Sequence, residues 1–177
     1  MLKNKIIPCS EKDISTIMGV AIKSYNEYYL HLWYDAGAWY KQLSFNPETL
    51  KEEMSDANAR FYLLYEAETP VGFLKLNLHK KLEPYTDADC LELERIYIIK
   101  DATGKGLGRQ AVNFALDIAR NLNKKYVWLK GMDTSPSMFF YESTGFKKIG
   151  TWRLDFKLMK EEYRGMIVYL QEVSPLQ

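Results

Sequence analysis

The stretch LELERIYIIKDATGKGLG, Leu91 to Gly108, decides the predicted fold. It is typical of a strand with two acidic residues, followed by a glycine-rich loop that opens directly into a helix over RQAVNFALDIARNLN. Such a loop presents backbone N–H groups and the positive end of a helix dipole at one place. The stretch therefore predicts a phosphate-binding strand, loop and helix.

The composition of the loop supports phosphate binding but excludes two nucleotide folds. Its glycines keep side chains away from an approaching diphosphate, and two basic residues add positive charge. The residues are Gly104, Lys105, Gly106, Gly108 and Arg109. No Ser or Thr follows the Gly-Lys pair, so the Walker pattern is absent, and the G-x-G-x-x-G spacing of dinucleotide-binding folds is absent too.

Length and composition limit the class of protein. A chain of 177 residues, 47% hydrophobic and 27% charged, favours one globular domain over residues 1–177. The net charge of +1 gives no general attraction to nucleic acid or to an anionic membrane, so a small-molecule acceptor is favoured over DNA.

The cysteines and the N-terminal segment indicate a compartment. Cys9 and Cys90 are too few for a disulfide scaffold and lack metal-ligand spacing, which suits a reducing environment and predicts no metal site. No apolar signal core is present, and no run approaches the roughly twenty apolar residues of a membrane span. We expect a cytoplasmic protein.

The pattern along the chain predicts a mixed α/β sheet flanked by helices. The last residues, 174–177, are expected to be frayed. Strands are predicted over 5–9, 60–67, 71–78, 91–99, 125–130, 146–155 and 165–172, and helices over 11–25, from 47, from 109 and over 135–143.

Two motifs together resemble the GNAT superfamily of acyl-CoA-dependent N-acetyltransferases. They are GKGLG after the acidic strand and FFYESTGF about thirty residues later. The segments LELERIYI, NKKYVWL and FYESTGF resemble the PaiA-like spermidine and spermine acetyltransferase branch. The resemblance implies a GNAT-like α/β (α+β) fold, a mixed and mostly antiparallel sheet of about seven strands flanked by helices.

The resemblance also implies that acetyl-CoA is the co-substrate. Thr103 stands where the family has Gln or Arg, and because family contacts there are mostly main-chain, we expect tuned affinity. Pro136 stands where the family usually has an Asn, which leaves nearby polar residues as substitutes. The residues assigned to acetyl-CoA are Ile96, Tyr97, Ile98, Thr103, Gly104, Lys105, Gly106, Leu107, Gly108, Arg109, Thr134 and Ser135.

The acidic strand holds the candidates for a general base. Period-two alternation places Glu92 and Glu94 on one strand face. That face is shared with Ile96 and Ile98, whereas Leu93, Arg95 and Tyr97 take the other. The resemblance implies a base at Glu92 or Glu94. Either glutamate can instead lie on a solvated strand face or pair with Arg95 or a lysine, and Glu94 can instead bind a substrate ammonium.

Tyr141 is the candidate general acid. In the family, a tyrosine of this motif reaches the CoA sulfur with its hydroxyl, and a phenol with a pKa of about ten suits protonation of a thiolate. The alternative is an aromatic side chain that packs in the core beside Phe139, Phe140 and Phe146.

An aromatic-rich segment from Tyr25 to Tyr40 is the candidate acceptor region. The resemblance implies that it overhangs the acceptor channel, and aromatic faces with carboxylates would suit a cationic amine. The residues assigned to substrate are Glu27, Tyr28 and Trp33. The alternative is packing of a short second helix or a dimer contact, so the sequence leaves open whether the protein is a homodimer.

The sequence thus predicts an acetyl-CoA-dependent N-acetyltransferase acting on a primary amine in a ternary complex, with a small cationic amine such as a polyamine as acceptor. One alternative keeps this chemistry but uses a peptide N-terminus, an amino acid or an antibiotic amine. Another is an acyl-CoA sensor that binds the cofactor without catalysis.

Overall fold

The computed structural model describes residues 4–173, so the tail predicted to be frayed lies outside the described residues. Seven strands form one sheet in the order β1-β2-β3-β4-β5-β7-β6. The strands are β1 (Asn4–Pro8), β2 (Ala59–Glu66), β3 (Thr69–Asn77), β4 (Cys90–Ile98), β5 (Tyr126–Met132), β6 (Lys147–Arg153) and β7 (Gly165–Glu172). The helices are α1 (Ile14–Tyr28), α2 (Ala38–Ser44), α3 (Pro47–Ser55), α4 (Leu107–Asn121) and α5 (Ser137–Ser143).

The sheet confirms the predicted mixed and mostly antiparallel fold. Every neighbouring pair of strands is antiparallel except β4 and β5, which are parallel. A parallel pair needs a crossover connection, and α4 supplies it between these two strands.

The pair β4 and β5 also diverges. The two strands pair only from Cys90 with Tyr126 to Glu92 with Trp128. Beyond Glu92 one edge of β4 has no ladder partner on the β5 side. The gap between these strands positions the site described below.

Two helix starts show what local sequence can predict. Asn46 caps α3 by accepting a hydrogen bond from the backbone N–H of Thr49 at 2.8 Å, with Pro47 in the first turn, as predicted. Helix α2 has no such strong signal. It follows Gly37, whose φ is +74°, and its first turn is held by the Asp35 carboxylate.

The segment predicted as one helix over 11–25 is divided. A 3₁₀ turn occupies Glu11–Asp13, and the α-helix then runs three residues further than predicted, to Tyr28. Among residues 4–173, no helix combines the length and the apolar composition needed to cross a lipid bilayer.

Candidate active site

A β-bulge in β4 sets the geometry of the acidic residues. Lys75 on β3 pairs with Arg95, but the next residue, Leu76, pairs with Leu93, so Glu94 is passed over in the register. A bulge of this kind inserts one residue and shifts the alternation of side chains beyond it.

The predicted assignment of β4 faces is therefore wrong beyond the bulge. Arg95 and Tyr97 join the two glutamates, since Arg95 contacts Glu94 and Tyr97 stacks on Phe73 across the strand pair. Ile98 turns to the opposite face, as does Ile96, two residues before it. A Cβ placed at Gly72 or at Gly108 of α4 would lie within 4 Å of the Ile98 side chain.

Glu94 belongs to a compact ion-pair network. Its carboxylate lies 2.8 Å from Lys75 Nζ and 3.3 Å from an Arg95 nitrogen. Arg95 also donates two hydrogen bonds to Glu53 of α3, at 2.8 and 2.9 Å. Burial alone would raise the pKa of Glu94, but the charges of Arg95 and Lys75 outweigh it and lower the pKa. Glu94 is therefore paired with cations, which was the alternative to its role as a base. Its lowered pKa makes it a weak proton acceptor.

Glu92 differs from Glu94 because no lysine, arginine or histidine among residues 4–173 lies within ion-pair distance of it. The side chain is 7% exposed and accepts a hydrogen bond from Asn77 Nδ2 at 2.7 Å. Burial raises the pKa of Glu92, and the negative charge of Glu94 adds to this, against the hydrogen bond from Asn77. The raised pKa makes Glu92 the better proton acceptor of the two glutamates.

Asn77 is a functional candidate that the sequence analysis missed. Its amide nitrogen donates to Glu92 and to Glu94, each at 2.7 Å, and so fixes the distance between the two carboxylates. The signal was the pair of polar residues, Lys75 and Asn77, inside the apolar run VGFLKLNL. Their partners become visible only with the register of β3 against β4.

Two cavities meet beside this network. The first, which we call the acceptor cavity, has a volume of about 360 Å³ and contains Glu92 and an aromatic wall that includes Trp33, Tyr40 and Phe156. The second, which we call the loop cavity, has a volume of about 550 Å³ and follows the glycine loop. The residues that line both cavities are Tyr29, Ile96, Tyr97, Ser135, Ser137 and Tyr141.

The glycine loop has the geometry expected of an anion site. Gly104 and Gly106 have φ values of +74° and +84°, and Gly106 is the residue before the first turn of α4. The first N–H groups of a helix have no intrahelical acceptor, so those of Leu107, Gly108 and Arg109 are available to a ligand. The Leu107 side chain itself is buried in the core.

Only some of the residues predicted for the glycine loop line the loop cavity. The loop cavity is lined by Thr103, Gly104, Gly106, Gly108 and Arg109. Lys105 does not line it, because its ammonium pairs with Glu66 at 2.9 Å. Thr134 lines neither cavity, whereas Ser135 lines both.

The predicted strand residues Ile96, Tyr97 and Ile98 line the loop cavity. They belong to the part of β4 that no longer pairs with β5. On that edge of β4 their peptide groups therefore have no ladder partner. An extended ligand with amide groups can pair there as an added strand would.

Tyr141 lies at the junction of the two cavities and is 8% exposed. Its ring packs beside Gly131, where a Cβ would lie 3.4 Å from the ring. Burial raises the pKa of Tyr141 above its usual value, so the phenol keeps its proton through the neutral range.

The three residues predicted to bind the substrate lie in different places. Trp33 lines the acceptor cavity. Tyr28 lines the loop cavity instead. Glu27 lines neither, because its carboxylate accepts a hydrogen bond from the backbone N–H of Lys100 at 2.6 Å. The aromatic segment also packs in the core, since Tyr25 and Trp33 are both buried.

Replacement of Glu94 by Gln is expected to lower the free energy of unfolding by about 1–3 kcal/mol at pH 7, because buried Lys75 and partly buried Arg95 lose a shared carboxylate. Glu94 has a lowered pKa in the fold, so its stabilisation is present above the unfolded-state value of about 4.3 and is lost at lower pH. The difference from wild type should therefore shrink below pH 4.3.

Urea unfolding at pH 7 and at pH 3.5 to 4.5 measures this difference. The matched control is Glu52→Gln, the same change at an exposed carboxylate of α3, which should shift stability by less than about 0.5 kcal/mol. Equal stabilities of the Glu94→Gln and Glu52→Gln proteins at pH 7 would show that the network does not stabilise the fold.

Known proteins resemble this chain in sequence and in fold. The acetyltransferase (GNAT) family matches residues 20–146. An uncharacterised N-acetyltransferase in the pepI 3' region of Lactobacillus delbrueckii subsp. lactis is 27% identical over 146 residues, which cover 81% of this chain and 84% of that protein.

Solved structures show the same fold. The PaiA N-acetyltransferase of Thermoplasma acidophilum, in complex with coenzyme A, has a TM-score of 0.76 at 19% identity, over 96% of this chain and 99% of that chain. The spermidine/spermine N-acetyltransferase SpeG of Vibrio cholerae has a TM-score of 0.65 at 19% identity, over 97% and 94%. A ribosomal-protein-S5-alanine acetyltransferase of Vibrio fischeri has a TM-score of 0.72 at 14% identity, over 98% and 95%.

Two of these proteins are named for different acceptors, and at such low identity the solved structures establish the fold alone. The family match is more specific, because it covers most of the chain and includes the acidic strand, the glycine loop and Tyr141. This chain belongs to the GNAT acetyltransferase family.

Proposed function

We propose that this chain transfers the acetyl group of acetyl-CoA to the primary amine of a small cationic molecule, by direct attack while both substrates are bound. The observation that carries the proposal is the meeting of the two cavities at Tyr141, with Glu92 on the acceptor side. Spermidine and spermine, the polyamines named for SpeG, belong to this class of acceptor.

The loop cavity suits acetyl-CoA in three respects. The glycine loop and the start of α4 offer N–H donors for the diphosphate. The free edge of β4 offers peptide groups for the amides of the pantetheine arm. The cavity is also lined by Tyr141, beside which the thioester would lie.

Acetyl-CoA supplies the thioester carbonyl carbon, to which the amine nitrogen bonds as the carbon–sulfur bond breaks. Glu92 accepts the proton that the amine loses, directly or through water. Tyr141 donates a proton to the departing thiolate. An acceptor bound as an ammonium first loses its extra proton to solvent through Glu92. Transfer of one proton from Glu92 to Tyr141 after the attack then restores both residues, and the products are an N-acetylated amine and the CoA thiol.

The proposal is tested by thiol release from acetyl-CoA across a panel of acceptors that contains polyamines, alkyl and aromatic monoamines, amino acids and a short peptide. We expect release above background with at least one small amine. Release with the peptide alone would instead support the N-terminal acetyltransferase alternative. Binding of acetyl-CoA without release for any acceptor would support the sensor alternative.

Replacement of Gly106 by Val is expected to raise the acetyl-CoA dissociation constant by at least about tenfold, roughly 1.4 kcal/mol. A β-branched residue is strained at a φ of +84° and would displace the N–H donors at the start of α4. Isothermal titration calorimetry with acetyl-CoA measures the change.

The control for this substitution is Gly150→Val. Gly150 lies in β6 with open space around its Cβ position and no positive φ. The control should bind acetyl-CoA as the wild type does. A folded Gly106→Val protein with wild-type affinity would remove the loop from the cofactor site.

A further inference from the structure

We infer that the acceptor is a monoamine with an apolar, ring-sized body, and that polyamines are poor substrates. This inference rests on the proposed function and deepens it. It follows from the charges around the acceptor cavity, from the positions of the acidic residues outside it, and from the packing of its aromatic wall.

The charges around the acceptor cavity are already balanced. Glu94 and Glu53 are neutralised by Lys75 and Arg95. Glu92 is the lining carboxylate that has no cation in contact, so one substrate ammonium can be bound there. Lys130 lines the same cavity and brings a further positive charge. A second ammonium on the acceptor would meet no free carboxylate.

The carboxylates of the aromatic segment do not change this balance. Glu27 is engaged with the backbone of Lys100. Asp35 accepts hydrogen bonds from the N–H groups of Gly37 and Trp39, at 3.0 and 2.7 Å. Neither residue lines the acceptor cavity. A second ammonium would therefore be desolvated without a counter-charge, which is costly.

The aromatic wall of the acceptor cavity is also a poor site for a second ammonium. Trp33 and Tyr40 stack with ring centroids 5.0 Å apart, and Phe156 packs against both at 5.7 and 5.6 Å. Trp33 is 3% exposed, and its indole N–H donates to the Tyr25 hydroxyl. Because these rings cover one another, they do not form an open cage for a cation.

The same wall suits an apolar group. Beside the rings, the cavity is lined by aliphatic and thioether side chains, which gain from contact with an apolar ligand. These residues are Leu32, Leu154, Met159 and Met166. A cavity of about 360 Å³ is at the small end of ligand sites and has room for one ring and a short chain.

A matched pair of substrates tests the inference. 4-Phenylbutylamine and 1,4-diaminobutane share a butylamine end and differ only in a phenyl group or a second ammonium. We expect kcat/KM to be at least about tenfold higher for 4-phenylbutylamine, with spermidine no better than the diamine. Equal or higher kcat/KM for the diamine or spermidine would overturn the inference and leave the proposed function intact. Thiol release with no small amine would instead refute the proposed function.

Substitutions test whether the aromatic wall recognises the apolar body of the acceptor. Phe156→Ala should raise KM for 4-phenylbutylamine about tenfold and lower kcat/KM for the diamine by a much smaller factor, with the acetyl-CoA dissociation constant unchanged. Tyr34→Ala is the control, because Tyr34 belongs to the same segment, is 71% exposed and lines neither cavity. An equal loss for both amines in Phe156→Ala would contradict a wall that recognises the apolar body.

Discussion

The Tyr141→Phe protein is expected to turn over about a hundredfold more slowly than wild type and to bind acetyl-CoA with unchanged affinity. Tyr141 lines both cavities, and in the proposed reaction only the departing thiolate needs the proton of its hydroxyl. The ring contacts with Phe146 and Tyr169 survive the change, so the fold should be retained. Steady-state thiol release and calorimetry give the two quantities.

Tyr169→Phe is the matched control. Tyr169 packs against Tyr141 at a centroid distance of 5.7 Å, lines neither cavity, and has a buried hydroxyl without a hydrogen-bond partner among the described residues. Its loss should leave turnover near the wild-type value. If Tyr141→Phe also turned over normally, Tyr141 would be a packing residue.

The second large effect is expected for Glu92→Gln, with a loss of about 10² to 10⁴ in kcat/KM. Gln keeps the shape of the side chain and can still accept a hydrogen bond from Asn77, but it cannot take a proton from the amine. Glu94→Gln should affect stability more than the pH dependence of catalysis, because Glu94 is engaged with Lys75 and Arg95.

The pH profile separates the two glutamates. A base works only when it is deprotonated, so wild-type kcat/KM should rise with pH through the pKa of Glu92, which burial places above its usual value. In Glu92→Gln this step disappears, and activity follows the free amine, whose pKa is near ten. The loss should therefore be greatest at low pH. A constant loss across pH would mean that Glu92 positions the amine without accepting its proton.

Local patterns predicted the parts of the fold that depend on local physics. The seven strands, the start of α3 at Asn46 and the glycine loop before α4 all follow from periodicity, capping and glycine placement. A short second helix was only an alternative for the aromatic-rich segment, and the bounds of α2 were not predicted, because Gly37 and the Asp35 cap are weak signals.

The site was less predictable because it depends on register. Strict alternation in β4 failed at the bulge, where Glu94 and Arg95 come to share one face. The positions of Lys105 and Glu27 depend on single long-range contacts, with Glu66 and with the backbone of Lys100. Asn77 was missed because its partners lie 15 and 17 residues away on another strand.

The most direct test of acetyl transfer in a ternary complex follows a labelled acetyl group. The full chain is mixed with excess acetyl-labelled acetyl-CoA, first alone and then with an amine acceptor found by thiol release, and the label is counted on the protein and on the amine. Direct attack predicts no label on the protein in either mixture and one labelled amine for each thiol released. Stable labelling of the protein before the amine is added, with transfer of that label to the amine afterwards, would contradict the account.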